Sequence, residues 1–160
     1  MTRARITQFT LIVSVLALAW EASARAQTPT PTPTPLKFYA VTPCRVVDTR
    51  GATGTNGGPI MSHGQTRTFT IKGFCGIPST AQAGVLNVTV VTPTSSGYLT
   101  LWPAGGTKPI VSTINWAVGE PAIANGAIVP LASFASLDLS VFNGTTGSTH
   151  VVLDVTGYFQ

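Results

Sequence analysis

The chain has 160 residues, of which 9% are charged and 44% hydrophobic, with a formal net charge of +4. That length holds one domain of ordinary size, and the apolar fraction can build a core, which excludes wholesale disorder. The acid–base inventory is short: two histidines (His63, His150), two glutamates (Glu21, Glu120) and three aspartates (Asp48, Asp138, Asp154), from which any metal centre or general acid–base pair has to be drawn.

Residues 1–8 carry Arg3 and Arg5 and no acid, residues 9–20 (FTLIVSVLALAW) are an apolar run, and Ala24-Arg25-Ala26 follows as a small-residue site. Basic start, short apolar stretch and A-x-A site are the order of a secretory signal peptide. Twelve apolar residues fall short of the roughly 20 that a spanning helix needs. The expected mature chain is therefore 27–160, cleaved after Ala26, secreted and not membrane-spanning. Cleavage leaves six cations and four acids, a net charge of +2. The cations (Lys37, Arg45, Arg50, Arg67, Lys72, Lys108) are dispersed and form no basic run, which excludes nucleic acid as the partner.

Export sets the reading of Cys44 and Cys75. Two cysteines in a secreted chain most often pair, and closing that loop stabilises by about 3–4 kcal/mol in the chain-entropy model. Residues 28–35 are a strict Thr-Pro repeat. Proline fixes φ and removes donors, so 27–35 reads as a polyproline II stalk roughly 25 Å long. The domain is then 36–160.

Within the domain, helical periodicity is missing and short strand-like runs recur between turn signals. The predicted strands are 37–42, 45–49, 66–72, 84–92, 98–102, 110–116, 122–129, 136–142 and 150–159. Separators include Asn56-Gly57-Gly58-Pro59, Pro103-Ala-Gly-Gly106 and Asn143-Gly144. Eight or nine short strands at this spacing predict an all-β, single antiparallel β-sandwich with jelly-roll or Greek-key connections. Strand 84–92 is apolar on both faces apart from Asn87 and Thr89, and reads as central. In the last strand, alternation puts Val151, Leu153, Val155 and Phe159 on one face, with His150, Val152, Asp154, Thr156 and Tyr158 on the other.

Certain runs are less generic. The domain opens with Phe38-Tyr39, then Thr42-Pro43-Cys44-Arg45-Val46-Val47-Asp48-Thr49-Arg50, and continues through Cys75-Gly76-Ile77-Pro78, Asn87-Val88-Thr89-Val90 and Gly97-Tyr98-Leu99-Thr100-Leu101-Trp102-Pro103. Ser112-Thr113-Ile114-Asn115-Trp116 and Ala124-Asn125 follow, and the chain closes on Asp154-Val155-Thr156-Gly157-Tyr158-Phe159. Together they resemble a family of secreted bacterial β-rich domains that run from an RVVDTR-type opening to a DVTGYF-type close. The resemblance covers 37–160 and implies an extracellular β module. It brings no activity with it.

Candidate sites are few. Arg45, Asp48 and Arg50 lie close in sequence, and Asp154 sits in the final strand. On a regular strand Arg45 and Asp48 point to opposite faces, while Asp48 and Arg50 share one. These four residues read as structural ion pairs, an opening arginine tied to Asp154 and fastening the chain ends. An anion or sugar site on the arginine fork is the sharper reading. Breaking such a pair, if buried, would cost about 3–5 kcal/mol. Asn87, Asn115 and Asn125 interrupt apolar strands and need hydrogen bonds. Tyr98 and Trp102 share a strand face. With Trp116 and Asn115 they are the candidate ligand-binding residues, although aromatics on strands more often serve the core.

No cofactor or metal is implied: neither His63 nor His150 has His, Cys or Glu at ligand spacing, and EF-hand spacing is absent. No G-x-S-x-G elbow is present, and paired-carboxylate hydrolysis would have to recruit Glu120 or two aspartates from different strands. The expected function is a non-catalytic module for cell-surface or extracellular interaction, with a cell-surface glycan or another surface protein as partner. The alternatives are a carbohydrate-binding module and a small secreted hydrolase. Self-association through a strand edge is neither required nor forbidden by the Thr-rich strands.

Overall fold

The computed structural model describes residues 34–133 and 137–160. The signal-peptide reading, the cleavage site, nearly all of the Thr-Pro stalk and the start of the strand expected at Ser136 lie outside the described residues. Eight strands are present: β1 (Phe38–Asp48), β2 (Thr66–Phe69), β3 (Ala83–Val91), β4 (Gly97–Pro103), β5 (Ile114–Trp116), β6 (Ala122–Pro130), β7 (Leu139–Asn143) and β8 (His150–Phe159). They form two antiparallel four-stranded sheets, in the orders β1-β8-β3-β6 and β2-β7-β4-β5. The all-β sandwich expected from the turn spacing is the observed architecture.

The pairing follows one rule. β1 pairs with β8, β2 with β7, β3 with β6 and β4 with β5. The chain is thus one long hairpin rolled into two sheets, the nesting of a jelly roll. Its open end holds the first and last residues of the domain, where Lys37 and Gln160 exchange backbone hydrogen bonds of 2.8 and 3.0 Å. Its closed end is the β4–β5 connection, residues 104–113.

The inner faces meet as alternation dictates. Leu86, Val88 and Val90 of β3, with Val151, Leu153 and Val155 of β8, pack on Phe69, Leu99, Leu101, Leu139 and Val141 of the second sheet. Met61, Ile71 and Ile77 come in from the connections and are buried too. β3 lies between β8 and β6, which agrees with its apolar sequence on both faces.

Several sequence readings need correction. The opening is one irregular strand, not two, because Pro43 interrupts a β1 that sits at a sheet edge, where a missing donor is tolerated. Residues 110–113 are not strand; β5 is the short piece Ile114–Trp116, and Ile110 is fully exposed. Alternation in β8 breaks near Thr156: Leu86 faces Val155 while Val85 faces Gly157, so one residue of β8 is extra. That bulge turns Tyr158, expected outside, against the core. Phe159, expected inside, instead pairs with Phe38, whose ring covers the bare Cα of Gly157.

The expected disulfide is present. Cys44 and Cys75 are bonded, and join β1 to the turn that follows β2. Cys75 sits in the left-handed region at φ 54°, with Gly73 and Gly76 also at positive φ in the same turn. Among the described residues, no helix is long and apolar enough to cross a membrane.

Candidate functional site

The charged cluster is built by a second irregularity. Arg45 faces Asp154 and Val47 faces Leu153, so Val46 is an extra residue in β1. The bulge overrides the alternation that would separate Arg45 from Asp48. Arg45 grips Asp154 with two bonds, Nε to Oδ1 at 2.8 Å and Nη2 to Oδ2 at 3.3 Å, and Nη1 reaches Asp48 at 3.4 Å. Arg50 grips Asp48 in the same forked way, at 2.8 and 2.6 Å. Arg50–Asp48–Arg45–Asp154 is therefore one continuous chain of charge-assisted bonds.

Its electrostatics follow. The Arg50 side chain holds the Asp48 carboxyl down at about 2, with the Arg50 backbone N–H and the nearby guanidinium charges adding to the effect. The hydrogen bond to Asp154 raises Arg45, and that to Asp48 raises Arg50. The arginine side chains are 50% and 44% exposed, so the network faces water and is worth far less than a buried one. The buried pair lies elsewhere. Asp138 is 3% exposed and accepts backbone N–H bonds from Ile71 (2.7 Å) and Lys72 (2.8 Å), while the Lys72 ammonium stands 3.3 Å away.

The other polar side chains also have structural partners. His63 Nδ1 contacts the Thr145 carbonyl at 2.5 Å, and His150 Nδ1 contacts the Thr49 carbonyl at 3.0 Å. A carbonyl only accepts, so Nδ1 carries the proton in both rings. Asn125 donates across to the Thr113 carbonyl at 2.8 Å, tying the β6 edge to the entry of β5. Asn87 donates to Thr89 Oγ1 at 3.3 Å. Asn143, the first residue of an Asn-Gly-Thr sequon, is fully buried with its amide donating to the carbonyls of Met61 and Ser62.

The candidate ligand residues divide. Trp102 and Trp116 are 7% and 6% exposed, so their indole faces are covered, as is usual for aromatics on strands. Trp102 donates Nε1–H to the Gly106 carbonyl (3.0 Å), and Trp116 donates to the Ser95 carbonyl (2.8 Å). The reason is the closed end of the hairpin. Residues 104–113 fold back over the outer face of β4, where Thr100 Oγ1 bonds to the Val111 carbonyl (2.8 Å) and Thr113 Oγ1 accepts from Leu101 N–H (3.1 Å). Trp102 lies under that flap, whereas Trp116 points into the core.

Tyr98 and Asn115, by contrast, come together. They are register partners across β4 and β5, and both line a groove of about 340 Å³ with Thr100, Lys108, Pro109 and Ser112. The Tyr98 ring lies over Gly144, where any Cβ would stand 2.3 Å from the ring, and is tilted against Phe142 at 6.1 Å. The Lys108 ammonium sits 4.7 Å from the centre of the Phe142 ring. Asn115 donates to Ser112 Oγ at 2.9 Å, which orients its amide. Ile110 and Val111, both exposed, form the apolar lip. Volume and mixed lining fit a small-ligand site.

Lys108, Ser112 and Phe142 were not singled out from the sequence. A lysine followed by proline (Lys108-Pro109) in a chain this poor in charge is a signal that could have marked the loop. No protein-family model matches the chain, and neither curated proteins nor solved structures contain a match to it.

Proposed function

We propose that this chain is a secreted, non-catalytic β-sandwich module that binds a partner outside the cell through the groove between the β4–β5 flap and the Tyr98–Asn115 pair. The groove carries the reading: it is concave and combines an aromatic wall and an amide on paired strands with a hydroxyl and a cation from the β4–β5 connection. The apolar N-terminal run with its A-x-A site and the Cys44–Cys75 bond support an oxidising, extracellular setting. Most of the side chains that acid–base chemistry would recruit have other work: Asp48, Asp138 and Asp154 hold cations, and both histidines hold backbone carbonyls, which leaves Glu120 as a lone exposed carboxylate.

A carbohydrate as the partner is the second reading, favoured by the side-by-side placement of Tyr98 and Asn115. It no longer draws on Trp102 or Trp116.

The test uses the chain recovered from the medium of a secreting host. Mass spectrometry is expected to find Gln27 at its N-terminus; retention of residues 1–26 in the exported protein overturns the leader. NMR titration against a panel of neutral and acidic oligosaccharides and a partner-surface extract is expected to move the signals of Tyr98, Lys108 and Asn115 together. Shifts that leave these three unmoved under every addition sink the groove.

A further inference from the structure

We infer that the groove selects an acidic saccharide, a sugar ring bearing a carboxylate, with the carboxylate on Lys108 and the ring hydroxyls on Asn115 and Ser112. This rests on the reading of the groove as a binding site.

The argument starts from where charge is compensated. Arg45, Arg50 and Lys72 each hold an aspartate, and Lys37 is an exposed residue beside the chain ends. Arg67 is surrounded by main-chain carbonyls, those of Pro59 and Gly57 at 2.7 and 2.8 Å, and desolvation lowers its pKa. Lys108 is different: its ammonium is seated on the π face of Phe142 at the rim of the groove. A ring face attracts a cation but leaves its N–H donors unused. Among the described residues no carboxylate pairs with Lys108: the three aspartates hold other cations, and Glu120 forms no ion pair with it. An anion from outside is the complement we assign to this cation.

The rest of the lining points to a sugar. An amide and a hydroxyl 2.9 Å apart, Asn115 and Ser112, match the spacing of neighbouring hydroxyls on one ring. The amide nitrogen has a second N–H to donate to one hydroxyl, and the serine O–H, whose oxygen already accepts from Asn115, donates to the other. Tyr98 and the exposed Ile110 and Val111 offer apolar surface to ring C–H groups. An acidic peptide fits less well. Peptides dock on a sheet by adding a strand to its edge, and the edge here, β5, is three residues long.

The experiment measures binding of a galacturonic acid trimer, a galactose trimer and a hexaglutamate peptide to the exported chain, by calorimetry at about 20 and 200 mM salt. The acidic trimer is expected to bind about tenfold more tightly than the neutral one at low salt, the scale of one charge-assisted hydrogen bond. Lys108→Gln, a change at an exposed side chain, is expected to abolish that preference, bringing the affinities for the two trimers within about twofold of each other. Asn115→Ala is expected to weaken both sugars.

Equal affinity for the two trimers overturns the acidic preference and leaves the groove standing as a site. A preference that survives Lys108→Gln overturns the assignment to that residue. Hexaglutamate binding as tightly as the acidic trimer shows that the site reads charge and not sugar. If none of the three probes binds and the panel titration also leaves the groove unmoved, the module reading falls together with this one.

Discussion

Single side chains carry the sharpest energetic expectations. Asp138 is buried, accepts two backbone N–H groups and faces the Lys72 ammonium. Asp138→Ala strands those donors and an inward-facing cation, so it should cost about 3–5 kcal/mol in urea unfolding. Asp48 works on a different axis. Its carboxyl is held at about 2, below its ordinary 3.8, so its contribution to stability is present above pH 3.8 and is lost as pH falls through 2. Asp48→Asn should therefore flatten the acid limb of the melting temperature between about pH 4 and 2, leaving the profile at neutral pH nearly parallel to that of the parent. An unchanged acid limb would show that the arginine fork does not hold Asp48 in solution.

Between residues and the whole stand the strands, and here the sequence spoke unevenly. Turn residues are local, so Asn-Gly, Gly-Gly-Pro and Pro-Ala-Gly-Gly marked the strand ends well, and β3, β4, β6 and β8 were readable nearly to the residue. Bulges are not local. Val46 and Thr156 look like any strand residues, yet each shifts the register and reverses the faces beyond it. The first brings Arg45 and Asp48 to one side; the second exchanges Tyr158 for Phe159. Whether a strand aromatic is core or platform also depends on what covers it, and the flap that buries Trp102 comes from a loop whose fold-back nothing in β4 announces. Tyr98 escapes that cover because Gly144 gives its ring a seat. Gly144→Ala places a methyl within the ring and should cost about 1–3 kcal/mol, with the aromatic NMR signals of Tyr98 displaced. The same variant should weaken any ligand of the groove, since its aromatic wall moves.

At the scale of the molecule, the pairing of first with last, second with seventh, and so on inward makes most contacts distant in sequence. The Cys44–Cys75 bond, at a separation of 31 residues, links the outermost strand pair to the turn after β2. Replacing both cysteines by alanine should lower the stability by about 3–4 kcal/mol and raise the denaturant slope, because the unfolded chain, freed of its cross-link, exposes more surface. A loss of stability with no rise in slope would mean that the bond acts on the native state instead. The rolled hairpin also divides two jobs along the chain: its open end ties Lys37 to Gln160, and its closed end lines the groove.

Because Lys37 and Gln160 trade both main-chain bonds, entry and exit lie on one rung, with Cα atoms about 5.5 Å apart. A host polypeptide would need only a surface turn of that width to accommodate the whole unit as an insert. Splicing it there would leave the strand pairings of both sheets untouched. Portability of this kind comes from the hydrogen-bonding of two residues, and makes the module a cassette.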